Sequence, residues 1–431
     1  MSVVARPRAR SAPVIGAEHV ALDRQVLRPD MREQLRAWAS ASSSPSYYPD
    51  LVEAMARGGV HEACQRYGYL TLSDARGLVA AAPTVITDEV LVDLLAGPGW
   101  LHRACNVMRR FPKLLGMRSM TVGTALDQTG GLLGTAIEPF DDAVQRAARE
   151  AGCAAVIWKD VPEGDVRAAL RARGYGEFVS LPGSVLDLRR FATLHDYLAW
   201  IKTVASEGDL RRKLRNAAYD SRGLRGHLWA NDRCADTDLA AARKRCAALR
   251  AKAGIAEPIV FETTRTVTRA QLDQMTALYE AREAGARFRW TRFSRAFFER
   301  IAAMPEARFS LCRAGERLLG FSSAVIVGDR YVTLRSGVDL AVARTFSVPV
   351  LLVLRDIETA IDERCAQITL GPTGYELKAR FGVTFSPNVA MTRMLGPLAA
   401  ASTLAGRVVD RANRKAGIHE LHRIDYRSAW Q

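Results

Sequence analysis

The twelve residues from Gly371 to Gly382 hold Thr373, Tyr375, Glu376, Lys378 and Arg380 between two glycines. A short apolar run, 366–370, precedes them and reads as a buried strand. The charged residues then emerge at a strand end, where open α/β sheets place ligands. Side chains of these types between glycines suggest a polar site. Were its chemistry an acyl or aminoacyl transfer to an amine, it would need an activated carrier, an unprotonated nucleophile and donors that hold the tetrahedral oxyanion. Lys378 and Arg380 are candidates for the carrier's phosphates or for the oxyanion. Glu376 and Asp339 are candidate bases or orienters of the amine, and Tyr375 a candidate acid for the leaving hydroxyl or thiol. Thr373, Ser336 and Gly337 join the donor side, the last two at a strand tip whose amides face outward. For Glu376 and Arg380 the competing use is an i,i+4 ion pair on a short helix.

A second candidate is a run of charge. Between Lys202 and Arg225 stand seven Lys/Arg against three acids, and Arg211, Arg212, Lys213 and Arg215 cluster on one stretch of helical composition. Such a helix can track a phosphate backbone, although a charge run also serves as a solvated face. The whole chain, 431 residues long, carries a formal +15, which suits polyanionic partners such as RNA, a nucleotide or an anionic surface. Its seven cysteines are scattered without a CxxC, which reads as reduced thiols of a cytoplasmic protein. His419 and His422 have metal-like spacing but no further ligands nearby, so no metal is expected. No run of eighteen apolar residues occurs, which predicts no spanning helix and no integral membrane insertion.

The elements that must position these residues are clearest in the second half. Leu272, Met275 and Tyr279 repeat at helical spacing, and Phe297, Phe298 and Ile301 mark a second helix capped by Ser294. Strand-like runs follow over 309–313, 318–327 and 331–334, divided by Gly315 and by Gly328 with Asp329. A helix over 348–364 and the strand 366–370 lead into the polar loop. The first half repeats the later part of this order, with strands over 77–87, 119–126 and 154–158 and a helix over 140–151. Two local echoes suggest duplication. Gly152, Cys153, Ala154 stand before one strand as Arg364, Cys365, Ala366 stand before the other, and Leu170 to Gly174 echoes Leu377 to Gly382.

The pattern GxTxYxxKxRxG after a strand, with Ser336, Gly337, Val338 and Asp339 and the helix 348–364 before it, resembles tandem acyltransferases. These join two copies of the Gcn5-related N-acetyltransferase (GNAT) fold and include the Fem-type aminoacyl-tRNA-dependent transferases. The resemblance implies an α/β protein of two mixed-sheet domains, with Lys378 acting near the ester under attack. The expected division is a disordered leader over 1–25, a first domain over 26–190, a basic helical connector over 191–255, a second domain over 256–395, and a helix with a basic tail over 396–431. Each domain is expected to have its own core. Acetyl-CoA members carry a pyrophosphate loop of the form [Q/R]xxGx[G/A], because backbone amides must approach the phosphates without side chains in the way. Residues 337–349 lack that spacing, and the glycines at 130, 131 and 134 miss it. The expected co-substrate is therefore aminoacyl-tRNA, with acyl-CoA as the alternative, no tightly bound cofactor, and a small amine or hydroxyl acceptor. A non-catalytic protein that keeps the fold to hold RNA or an anionic surface is the reading from a different class.

Overall fold

The structure, a computed structural model, describes residues 16–22, 25–42, 48–60, 65–75, 77–88, 118–124, 133–134, 137–161, 163–201, 212–214, 216–218, 236–284, 292–371, 375–386, 388–415 and 417.

The first half runs β1 (Gly16–Ala21), α1 (Pro29–Ala41), α2 (Pro49–Gly58), β2 (Gly59–Val60), β3 (Arg66–Asp74), β4 (Gly77–Thr87), β5 (Ser119–Val122), β6 (Leu133–Gly134), α3 (Ile137–Glu150), β7 (Ala155–Val161), α4 (Asp165–Ala172), β8 (Gly176–Val179) and β9 (Gly183–Asp187). Two helices follow, α5 (Leu194–Ile201) and α6 (Asp236–Lys252). The second half repeats the series as β10 (Ile259–Thr264), α7 (Arg269–Ala284), β11 (Arg292–Phe293), α8 (Arg295–Ala302), β12 (Ala307–Ala314), β13 (Arg317–Val327), β14 (Arg330–Val338), α9 (Leu340–Phe346), α10 (Val348–Asp362), β15 (Gln367–Thr369), α11 (Tyr375–Ala379), β16 (Thr384–Ser386) and β17 (Val389–Met394). A 3-10 turn over Gly396–Ala401 and α12 (Ser402–Lys415) close the described chain.

Two mixed sheets result, one in the order β1-β3-β4-β5-β7-β17-β8 with β6 also on β4, the other β10-β12-β13-β14-β15-β9-β16. Among the described residues the parallel contact in each is the crossover pair, β5 with β7 and β14 with β15, joined through helical segments as a crossover needs. The last strand of each half lies in the sheet of the other: β9 pairs β15, and β17 pairs β7.

The duplication is visible in single hydrogen bonds. Past the ends of α3 and α10, Gly152 and Arg364 take positive φ, 70° and 57°. The next amides, Cys153 and Cys365, bond back to Ala148 and Ala360. This six-to-one return is a Schellman ending, for which glycine is the usual left-handed residue. Ala154 then donates to Arg118 and Ala366 to Asp329, each just before the parallel partner strand. Leu395 and Leu188 donate to Ala154 and Ala366 from the two exchanged strands. The first echo therefore marks equivalent positions, whereas the second is one residue out, since Gly174 matches Gly382 and Leu170 matches Lys378; the order is repeated from its first strand rather than only in its later part.

Three expectations change. The stretch read as a leader contains β1, which pairs β3 along Gly16–Ala21, so it is structured from residue 16. A boundary near residue 190 follows β9, but that strand belongs to the second sheet. The cores are not one per half: the largest joins Leu35, Met55 and Trp158 to Phe297, Phe309 and Phe321. Gly58 permits the close approach, since a Cβ there would lie 2.4 Å from the Phe297 Cα.

The helix after each exchanged strand covers the sheet that strand enters. Helix α5 places Tyr197 and Ile201 in the core with Ile368, and α12 places Val409 against Ile157 and Phe178 of the first sheet. The second contact is backbone to backbone: a Cβ on Gly176 would meet the Ser402 carbonyl at 2.1 Å, and one on Gly406 the Gly176 carbonyl carbon at 2.7 Å. The C-terminal helix thus packs on the first half although it follows the second in sequence.

Candidate active site

Strands β14 and β15 pair only from Arg330, Tyr331 and Val332 to Gln367, Ile368 and Thr369. Beyond that, β14 runs on to Val338 while β15 stops, so the sheet forks. The Thr333 hydroxyl donates to the Thr369 carbonyl at 3.0 Å in the crotch of the fork. Gly371, with φ +55°, turns the chain away toward α11. On the other arm Gly337 lets α7 lie against the strand, because a Cβ there would stand 2.8 Å from the Tyr279 nitrogen.

Lys378 lies on α11 and is 9% exposed. Its ammonium donates to the Gly371 carbonyl and stands 5.4 Å from the centroid of the Tyr375 ring. Burial, with a smaller contribution from the Arg282 charge, pushes the Lys378 amine down to about 7. Arg282, at the end of α7, donates to the Ser336 carbonyl at 2.8 Å and its hydroxyl at 2.7 Å. Arg335 lies one residue before Ser336 on β14, with its guanidinium 4.4 Å from the Phe293 ring centroid. It donates to its neighbour's carbonyl, Leu334, at 2.7 Å, and burial pushes its guanidinium below the ordinary value. The structure thus brings Lys378, Ser336 and Gly337 to one fork.

The other candidates have different surroundings. The Tyr375 hydroxyl is buried and donates to the Pro182 carbonyl at 3.3 Å, with its ring edge-on to Phe385, so it fastens α11 to the exchanged strand. Glu376 and Arg380 face solvent. Asp339 caps α9, accepting from the Ala341 amide at 3.0 Å, and pairs with Arg317 at 2.6 Å. A carboxylate committed to a cap and an ion pair is poorly placed as a base. Thr373, Arg211 and Arg215 lie outside the described residues; Arg212 is exposed and Lys213 partly buried. Sequence reasoning missed Arg282 and Arg335. The available signal was Arg282 on the helix Leu272–Tyr279 and Arg335 beside Ser336, both outside the glycine-bounded loop.

Residues 240–379 match the family described as Acetyltransferase (GNAT) domain. The matched stretch covers most of the second half. Among solved structures, FemX is 9% identical with a TM-score of 0.50, covering 91% of this chain and 100% of its own. A tandem GNAT protein from the clavulanic acid biosynthesis pathway is 14% identical, TM-score 0.43, covering 89% and 99%. A GCN5-related N-acetyltransferase from Kribbella flavida is 11% identical, TM-score 0.33, covering 91% and 73%. No curated protein matches the chain. The likeness to FemX, at this identity, is one of fold and extends over both halves.

Within the matched stretch, the helix after the forked strand begins unusually. Ser347, with φ +53°, joins α9 directly to α10. Pro349 has no amide hydrogen, and the amides of Val350 and Leu351 both bond to the Ser347 carbonyl. Val348 is fully buried and a Cβ on Gly320 would meet its side chain at 2.6 Å. This first turn leaves little backbone for a pyrophosphate. The first half, in turn, lacks the lysine. The helix ends match at Gly174 and Gly382, both at positive φ, with the Tyr175 and Val383 amides bonding back to Leu170 and Lys378, so the buried Leu170 stands where the second half has Lys378.

Proposed function

We propose that this chain is an acyltransferase whose reacting centre is the β14–β15 fork, with Lys378 beside the transferred carbonyl. The observation that carries the reading is Lys378 itself: a buried amine, aimed at the fork, where the matching helix of the first half has Leu170. An amine poised near neutrality can take a proton from the acceptor and, once protonated, hold the oxyanion of the tetrahedral intermediate. The group transferred is an aminoacyl group from aminoacyl-tRNA, and the acceptor is a small amine or hydroxyl. Two observations favour this donor over acyl-CoA. The first turn of α10 has a proline and two internally bonded amides where CoA phosphates need free ones, and the chain carries +15. The Fem-type resemblance of the Gly371–Gly382 loop points the same way.

The test supplies labelled aminoacyl-tRNA or acetyl-CoA with a panel of amines and hydroxyl compounds. Transfer should require tRNA and vanish after ribonuclease. Lys378→Ala should fold and lose about two to three orders of magnitude in rate. Ribonuclease-resistant transfer from acetyl-CoA would replace the donor while leaving the centre in place. A normal rate in Lys378→Ala would remove the centre.

A further inference from the structure

Three basic side chains meet at the fork, and although the Glu283 charge acts on Arg335, it forms no ion pair with it. Among the described residues none of Arg282, Arg335 and Lys378 forms an ion pair with a carboxylate. The contrast with nearby cations is direct: Arg313 pairs with Glu262, Arg308 with Glu363 and Arg317 with Asp339. What Arg335 and Lys378 have instead are main-chain carbonyls, Leu334 and Gly371, and aromatic faces, Phe293 and Tyr375. Carbonyls and rings hold a cation in place without cancelling its charge. Arg282 is the link between them: anchored to Ser336 beside Arg335, it acts on the charge of both other groups. A partly buried guanidinium without an ion-paired carboxylate, as at Arg335, is costly, and an anion that also meets the exposed Arg282 would offset that cost.

We propose that Arg335 and Arg282 bind an oxyanion, and that it is a carboxylate or phosphate carried by the acceptor. The inference rests on the reading of the fork as the reacting centre. The side of the sheet decides between acceptor and donor. Arg335 stacks on Phe293, in the core that includes Tyr279 of α7, whereas α10 packs on the opposite face through Leu351, Leu354 and Ile357. The arginines therefore stand on the α7 face, away from the helix terminus at which this fold receives donor phosphates. Their fork geometry suits a planar carboxylate or a phosphate in two-point contact. An anion held there brings a neighbouring amine of the same molecule toward Lys378.

Calorimetric titration of the full chain with inorganic phosphate, O-phosphoethanolamine and ethanolamine tests this. Phosphate and O-phosphoethanolamine should bind and ethanolamine should not. Arg335→Leu and Arg282→Gln should each weaken binding by about tenfold or more. Arg282 is exposed, so its variant tests the site even if Arg335→Leu fails to fold. Phosphate should also raise the pH at which Lys378 is half-labelled by an amine-reactive reagent, because an added negative charge favours the ammonium. Equal affinity in Arg282→Gln and the parent, or no binding by either anion, overturns the site. Displacement of O-phosphoethanolamine by CoA or by uncharged tRNA assigns the anion to the donor and overturns the acceptor. The functional reading fails separately, on a normal transfer rate in Lys378→Ala, and neither result decides the other.

Discussion

Replacing Lys378 by methionine should change how stability depends on pH. In the folded chain the amine is pushed from 10.5 to about 7, chiefly by burial. Between those values the unfolded chain holds a proton that the folded chain has released. Stability must then rise with pH through this window, at up to about 1.36 kcal/mol per pH unit. Below pH 7 both states are protonated and the burial cost is fully present; as pH climbs toward 10.5 it is relieved. From pH 6 to pH 9 the gain is roughly 2 to 3 kcal/mol. Lys378→Met has no such proton, so it should be the more stable protein at pH 6 and its advantage should shrink by that amount at pH 9. Urea unfolding of both proteins across this range measures the difference, and titrations common to both cancel. Parallel profiles would mean that Lys378 stays protonated in the folded chain, and the argument for a poised amine would fail.

Four other perturbations follow from the packing. Gly176→Ala should lower stability by about 1 to 3 kcal/mol, because the new methyl meets the Ser402 carbonyl; faster hydrogen exchange in α12 and β8 would locate the loss. Gly382→Ala adds a side chain at φ +69° that would meet the Trp200 ring at 2.2 Å, so melting temperature and transfer rate should fall together. Asp356 accepts from Ser310 at 2.6 Å and Tyr331 at 3.1 Å, and burial raises its carboxyl to about 6. Asp356→Leu strands both hydroxyls and should cost about 1 to 3 kcal/mol for each, whereas Asp356→Asn should cost less. The folded chain binds the Asp356 proton more tightly than the unfolded chain, so the parent should lose stability relative to Asp356→Asn as pH rises from 4 to 6, read by the same urea titrations. Finally, the fragments 1–235 and 236–431 should be insoluble when expressed separately and should assemble when co-expressed, since each sheet lacks a strand that the other supplies.

Much of this was legible locally. The spacing of Leu272, Met275 and Tyr279 gave α7, and the run before Gly371 gave β15, because burial on one face imposes period and length. The loop Gly371–Gly382 stood out in the sequence because glycines bracket charged residues after a strand; the structure gives both glycines positive φ and buries Lys378. What stayed hidden was long-range. Nothing in the composition of β9 or β17 says that they cross to the other sheet; that choice is made by pairing partners about 180 to 240 residues away. Arg335 was hidden for a related reason. In sequence it is one more arginine among many, and only the halting of β15 leaves its end of the strand beside an open fork. Asp339 and Tyr375 went the other way, since a cap and a buried carbonyl contact use the same atoms that chemistry would.

The strand exchange also bears on why the site has one lysine and two halves. Helix α11 has five residues, too few to hold a position unaided. Its supports come from the segment that ends the first half. Pro182 takes the Tyr375 hydroxyl, Tyr197 donates to the Phe381 carbonyl at 3.0 Å, and Trp200 closes on Gly382. Arg190 in turn stacks on Trp200 at 3.9 Å. The first half, which carries no equivalent of Lys378, therefore supplies the supports that set where Lys378 points. A defect at Trp200, far from Lys378 in sequence, should act by letting α11 shift. Trp200→Ala is expected to raise the half-labelling pH of Lys378 toward that of a free amine and to slow transfer, while circular dichroism stays near that of the parent. Should the labelling midpoint remain near 7 while the rate falls, positioning through α11 is the wrong explanation, and Trp200 acts on something other than the lysine.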